Sequence, residues 1–579
     1  LMAGLTLILV VAGLLAWQSL PIDAFPDIST TQVKIILKAP GMTPEEVEAR
    51  IVAPIEMEML GIPRQRVLRS VAKYGLTDVT IDFEEGTDVY WARQQVSERL
   101  NGVVATLPEG VSGGLAPIST PLSEMFMFTI EAPELTLEQK RRLLDWTIRP
   151  RLRTLPGVAD VNSLGGLVRA FEVIPNTAAL AARGMQIAEL ERALAAGNRN
   201  DGAGRLADGE ESLLVRAEGS IRTLDDVRAI VVGERDEIPV RVGEVADVRI
   251  GSVTRYGVVT RNGEGEAVQG LVLSLRGANA RDIVAGVRAR LAELAPQLPP
   301  GVKTEVFYDR GHLVERAVGT VSRALIEAIV LVVILLVLFL GDLRAALTVA
   351  LILPLSALAT FLCMRYFGLT ANLMSLGGLA IAIGMLVDAA VVVVENIVSH
   401  LAHEPGESRL KVIYRAVKEV TVPVSSGIAI IVIVFLPLLT LEGLEGKMFK
   451  PVAYSIIFAL SGSLVLSLTV IPVLSSFLIR PGGHGDPWLV RKALAIYTPL
   501  LQRALAHGRV VAVASVAMLV VAVGAYLGTG KTFMPTMDEG DIIMQLESLP
   551  SIGMEASADI NLRVQRAILR DVPEVKGIV

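Results

Sequence analysis

Apolar residues along this chain bunch into seven blocks, each about as long as the 20-residue helix that crosses a bilayer, with well-charged stretches between them. The blocks run over residues 1–20, 317–340, 345–366, 373–398, 422–441, 452–479 and 510–527. Roughly 300 residues without a span separate the first block from the second. Inside that insert the pattern changes. Residues 31–38 alternate apolar and polar, as a half-buried strand does. Thr43-Pro44-Glu45-Glu46 then opens a helix, with Thr43 as cap and proline in the first turn. Strands are expected at 66–72 and 76–83, followed by a helix at 89–100. The alternation resumes at 125–130, 136–152, 271–275 and 280–294. This β-α-β-β-α-β rhythm predicts ferredoxin-like units. The stretch 174–270, richer in Gly and Asp, reads as an inserted lobe.

The predicted fold class is therefore an α-helical membrane bundle of seven transmembrane helices plus α+β ferredoxin-like subdomains. In order, the chain divides into span one (1–20), a first aqueous block (21–173), a docking-like lobe (174–270) and a second aqueous stretch (271–315). Spans two to six (316–480), a linker (481–509), span seven (510–528) and a tail (529–579) follow.

Orientation follows from Lys and Arg in the short links. Arg409, Lys411, Arg415 and Lys418 lie between spans four and five. Arg480, Arg491, Lys492, Arg503 and Arg509 lie between six and seven, and Arg344 lies between two and three. The opposite links hold only Lys447 and Lys450, with Arg365 just before the other. The basic links face the cytoplasm, so the insert and the tail face outward. Residue 1 falls inside an apolar run, which could pass for a signal-peptide core; six further spans favour a first membrane helix.

A repeat is also visible. Span one is followed by Phe25-Pro26-Asp27 and a strand. Span seven is followed by Phe533-Met534-Pro535, Asp538-Glu539-Gly540-Asp541 and a strand-like run at 542–546. The tail reads as the start of a second copy.

Composition refines this picture. The chain is 52% hydrophobic, 5% aromatic and 20% charged, with a net charge of −6 and no basic cluster, so nucleic acid is not an expected partner. A single cysteine, Cys363, excludes a disulfide framework or a multi-cysteine metal site within the chain. His400 and His403 share a helical spacing but lack a third ligand, and read as a solvated membrane-edge pair. No nucleotide-binding loop or nucleophile motif is present, so an enzyme is not expected.

The strongest chemical signal lies in span four. A carboxylate inside a span costs about 2.5–3.5 kcal/mol on insertion scales, so it is a functional candidate by default. Asp388 and Glu395 are seven residues apart, about two turns and about 10 Å along one face. Together they form a candidate proton relay. The competing reading is neutralisation by a cation from a neighbouring span. Arg323 and Arg365 are the basic residues within the blocks, both toward the outer ends. A counter-charge at the depth of Asp388 is therefore expected from outside this chain. Glu327 is a further, weaker candidate one turn from Arg323.

The run Gly384-x-x-Val387-Asp388-Ala389-Ala390-Val391-x-x-x-Glu395-Asn396 resembles the fourth-helix motif of resistance-nodulation-division efflux pumps. The runs Leu20 to Asp27, Tyr74-Gly75-Leu76, Gly86 to Arg93 and Phe339 to Arg344 are similar to that family too. Asp388 followed by Ala389, rather than by a second aspartate, resembles the heavy-metal branch. The resemblance implies a homotrimeric, multi-pass pump of the bacterial inner membrane with periplasmic porter units. It further implies a periplasmic adaptor (membrane fusion protein), an outer-membrane channel and proton antiport. No cofactor is implied beyond the transported cation and protons.

For the metal, zinc, cobalt and cadmium members carry an aspartate six residues before the main one; here that position is Ala382. Its absence leans toward Cu(I) and Ag(I), soft ions suited to thioethers. Met374 matches a transmembrane methionine of those members. The match stops there: Met385 and Met544 are each one residue out of place, with Leu386 where a methionine is expected. Met125 and Met127 share a strand face; core packing is the leading reading and a flank of the substrate path the alternative. Zinc, cobalt or cadmium efflux stands as the first alternative. A drug or solvent pump of the same fold and a non-transporting membrane protein are the others.

Overall fold

The computed structural model describes residues 2–23, 25–235, 237–403, 407–479, 488–530, 540–549 and 551–579. Among these, seven helices are long and apolar enough to cross a membrane. They are Met2–Ser19, Arg310–Leu340, a third made of Leu343–Ala350 and Ile352–Tyr366, then Leu373–His403, Arg409–Leu439, Gly443–Leu478 and Gly508–Gly528. Their ends have local causes. Gly341 takes the left-handed conformation (φ +67°) that closes the second helix, and Asp342 accepts the Arg344 N–H at 2.8 Å to start the third. Phe339 to Arg344 is thus a tight stop and start between two antiparallel spans.

The insert opens on a sheet of β1 (Gln32–Lys38), β2 (Gln65–Lys73), β3 (Leu76–Phe83) and β4 (Ser112–Leu115), in the order β2-β3-β1-β4. The helix after β1 carries a complete capping box: Glu46 N–H donates to Thr43 Oγ1, and Thr43 N–H to Glu46. Gly75, at φ +66°, turns β2 into β3. A second sheet combines β5 (Glu124–Glu131) and β6 (Val158–Gly165) with two strands that come after the lobe. The lobe itself holds β7 (Arg169–Pro175), the exposed hairpin β8 (Asp201–Asp208) and β9 (Glu211–Ala217), β10 (Val231–Arg235), β11 (Ile238–Arg241) and β12 (Ala246–Ser252). A short pair, β13 (Thr260–Arg261) and β14 (Gly265–Glu266), leads to β15 (Val268–Ser274) and β16 (Lys303–Asp309). The second sheet runs β16-β5-β15-β6.

In both units the first helix widens into one π-helical turn, Glu48–Val52 and Leu144–Ile148. A proline follows two residues on in each, Pro54 and Pro150. Proline lacks an N–H and crowds the carbonyl four residues back, and the wide turn accommodates both defects.

Three hydrophobic cores result among the described residues. One fills the first unit, one fills the lobe, and the third runs unbroken from the second unit into the helix bundle. The segment after span one joins the second unit to the bundle. Ile22 pairs with Ala371 of the loop between spans three and four, and Arg310, at the head of span two, donates to Asp23 at 3.1 Å.

Two features differ from the sequence pattern. Residues 488–506, expected as linker, contain the helix Trp488–Ala506, whose Lys492 ammonium sits 4.7 Å over the Trp488 ring. Residues 542–546 form no strand, and Ile542 and Ile543 are exposed. A strand needs a neighbour to take its backbone groups, and none of the described strands lies beside this run. The helix Met554–Asp571 then packs on the β13–β14 turn, where the Gln565 amide donates to Thr260. Phe533-Met534-Pro535, Asp538-Glu539 and Arg480 fall outside the described residues.

Candidate functional site

Span four begins with a reciprocal bond at its outer end: Asn372 N–H donates to Ser375 Oγ and Ser375 N–H to Asn372 Oδ1, each at 2.9 Å. One face then packs inward. Ala382, Leu386, Ala390, Val393, Val394 and Ile397 are buried. Gly378 lets span six approach so closely that a Cβ there would lie 2.7 Å from the Val452 carbonyl oxygen. The buried Ser463 hydroxyl of span six donates to the Leu386 carbonyl at 2.7 Å, two residues before Asp388.

The opposite face is uncovered. Ile381, Gly384, Asp388, Val392 and Glu395 are exposed, at spacings of three and four that put them in one stripe. Asp388 and Glu395 make no hydrogen bond or ion pair among the described residues. Both acids therefore point away from the described helices packed against span four. Arg323 and Glu327 are exposed on span two, and Arg365 is exposed at the outer end of span three.

Asn396, next to Glu395, faces the other way. Its amide donates to the Ala416 carbonyl of span five at 2.8 Å and to Glu419 at 3.4 Å. His400 Nε2 lies 3.3 Å from the same Glu419 carboxylate, and its Nδ1 lies 3.0 Å from the Asn396 carbonyl. His400 is thus engaged in joining spans four and five; the His403 side chain falls outside what is described. Sequence reasoning missed this joint and the Ser463 bond. The available signals were an amide and a hydroxyl inside apolar runs, which in a membrane must find a partner helix.

The methionines are scattered. Met374 is half-buried near the outer end of span four, fourteen residues from Asp388, about 21 Å along the axis, so the two cannot touch one ion. Met385 is half-buried one turn before Asp388. Met125 is 2% exposed and belongs to the core, whereas Met127 on the same strand is half-buried. Met544 is 55% exposed. Among the described residues, no group of three or more His, Cys, Asp or Glu gathers as a metal would require.

A family model described as the AcrB/AcrD/AcrF family matches residues 1–579. The cation efflux system protein CzcA of Alcaligenes sp. (strain CT14) is 38% identical over 584 residues, covering 98% of this chain and 55% of that protein. The cation efflux system protein CusA of Escherichia coli (strain K12) is 35% identical, covering 96% and 54%. A crystal structure of a heavy metal efflux pump superposes with a TM-score of 0.87 at 33% identity, covering 99% of this chain and 56% of that one. The chain spans about half the length of the curated relatives it matches. With its whole length matched, and beside relatives named for cation and heavy-metal efflux, the chain belongs to the AcrB/AcrD/AcrF family of resistance-nodulation-division transporters.

Proposed function

We propose that this chain works in the proton-driven efflux of heavy-metal cations across the bacterial cell envelope, as part of a secondary transporter. The observation that carries the reading is the stripe of span four, where two carboxylates stand on an uncovered face without a partner among the described residues. A group that is costly when charged and tolerable when neutral binds and releases protons as its surroundings change. In this reading Asp388 is the main proton carrier and Glu395 its relay toward the cytoplasm. The stripe is covered by a second membrane repeat that supplies a cation beside Asp388. Proton binding cancels that attraction and favours one arrangement of the repeats over the other.

The two sheets outside the bundle act as ferredoxin-like porter units in the periplasm, with the lobe as a docking element inserted between β6 and β15. Their strand orders, β2-β3-β1-β4 and β16-β5-β15-β6, suit that topology. The working assembly is a homotrimer in the inner membrane, joined to a periplasmic adaptor and an outer-membrane channel.

The half-buried Met374 and the buried Ala382, which leaves no carboxylate at that position, favour Cu(I) or Ag(I) as cargo, with Met374 as one ligand. A second reading is cobalt, zinc and cadmium, favoured by 38% identity to the cobalt-zinc-cadmium resistance protein CzcA of Cupriavidus metallidurans. Export from cells stripped of their own metal pumps, using the full-length protein and its adaptor, tests both. Lower accumulation of Cu(I) and Ag(I) alone supports the methionine reading, and lower Zn(II), Co(II) or Cd(II) supports the second. Asp388→Asn should abolish export of either group while the trimer still assembles; a variant that still exports refutes the proton role.

A further inference from the structure

We propose that the helix of span six is the rod joining the proton-carrying part of span four to the porter, and that Lys447 and Arg276 are the positioning residues that pass its displacement on. The inference rests on the proton role of Asp388 proposed above.

The path is continuous. At its inner end, the Ser463 hydroxyl is bonded to the Leu386 carbonyl, and both residues are fully buried. The close approach at Gly378 holds the same two helices together nearer the outer surface. A local movement of span four around Asp388 therefore takes span six with it. From Ser463 the helix runs sixteen residues, about 24 Å, to Lys447.

At its outer end, Lys447 Nζ donates to the Ser29 carbonyl at 2.7 Å and to the Ile28 carbonyl at 3.4 Å. Residues 28 and 29 lie in the link from span one to β1. The Ser29 carbonyl also accepts from Arg276 Nη2, at 3.1 Å. Arg276 belongs to the second porter unit, in the loop between β15 and the helix Ala280–Leu294. Its remaining nitrogens grip the same link, bonding Asp27 Oδ2 at 2.6 Å and Thr31 Oγ1 at 3.3 Å, immediately before β1. One carbonyl is thus shared between a cation of the membrane bundle and a cation of the porter. Two like charges meeting at one acceptor are held by that acceptor and by Asp27. Displacing Lys447 along the span-six axis alters this balance at the root of the first unit.

A simple staple would fasten the link without connecting proton and metal movement, and this difference is measurable. The full-length pump is reconstituted in liposomes, a pH gradient is imposed, and proton entry and Cu(I) or Zn(II) transport are recorded together. Lys447→Ala and Arg276→Ala should each lower metal transport at least tenfold while proton entry continues, and Lys447→Arg should restore the metal-to-proton ratio. A wild-type ratio in Lys447→Ala overturns the proposal. An equal fall of both fluxes leaves that ratio unchanged and overturns it too. A second readout needs no transport: a spin label on Ser29→Cys should change its spectrum when Asp388→Asn is added, and should not when Lys447→Ala is also present. An Asp388→Asn effect that survives Lys447→Ala also overturns it. If the unaltered pump moves no metal down the gradient, or Asp388→Asn transports normally, the proton role itself fails and this inference goes with it.

Discussion

The Asp23–Arg310 pair makes an asymmetric prediction about stability. The two side chains sit 3.1 Å apart but in different surroundings: Arg310 is 5% exposed and Asp23 is 26% exposed. Arg310 Nη2 is already buried without a hydrogen-bond partner among the described residues. Breaking a buried ion pair costs about 3–5 kcal/mol because a charge is left behind in the dry interior. Asp23→Asn leaves the guanidinium there and should carry that full cost. Arg310→Met leaves a carboxylate that water reaches, while the methionine refills the space of the arginine stem, so about 1–2 kcal/mol is expected. The double variant removes both charges and should be more stable than Asp23→Asn alone. Thermal unfolding of the full-length protein in detergent, followed by circular dichroism, gives apparent midpoints, and their order is the test. Asp23→Asn should melt lowest, the double variant above it, Arg310→Met near or above the double, and the unaltered protein highest. If Arg310→Met melts as low as Asp23→Asn, or the double variant melts below both, the pair is not held as described.

Three further outcomes follow from single positions. Gly378→Ala pushes a methyl to 2.7 Å from the Val452 carbonyl and should cost about 1–3 kcal/mol, whereas Gly384→Ala, whose new Cβ meets no neighbouring element of the described residues within 4 Å, should not cost this chain stability; thermal melts of both compare them directly. Gly341→Ala forces an alanine to φ +67° and should cost about 1–2 kcal/mol, read as an earlier melt. Backbone N–H groups of Arg222 and Thr223 hold the Asp226 carboxyl below the usual aspartate range. A folded value below the unfolded one, about 3.9, gives stability that is present above that value and lost as pH falls through the folded one. Asp226→Asn should therefore lower lobe stability at neutral pH by an amount that shrinks below about pH 4, and a deficit that persists in acid would argue against the bond.

Much of the architecture was legible because membrane spans and half-buried strands each have a strong period. β3 and the helix Ala280–Leu294 start and stop where the sequence pattern put them. The helices of spans two and five run further than their apolar blocks, since Arg310 to Arg316 and Arg409 to Lys418 continue them as polar turns. Hydropathy registers only the apolar part of such a helix. Asp388 and Glu395 were legible because charge is rare in such a block. Their exposure on one uncovered stripe was not, because it depends on which face spans five and six occupy. Lys447 and Arg276 were invisible for a similar reason: their shared partner is a backbone carbonyl, and no side-chain pattern marks it.

The two widened turns bear on where the two insert units came from. Each sits in the first helix of its unit, and each is followed by a proline at the same distance. A π-helical turn amounts to one extra residue lodged in a regular helix, and it is rare enough that two units acquiring it separately at the same place would be a coincidence. A shared fold can be reached by unrelated chains; a shared irregularity points to descent from one ancestral unit that already carried the extra residue. On that view the lobe between β6 and β15 is the younger part, gained by one descendant after the pair had diverged.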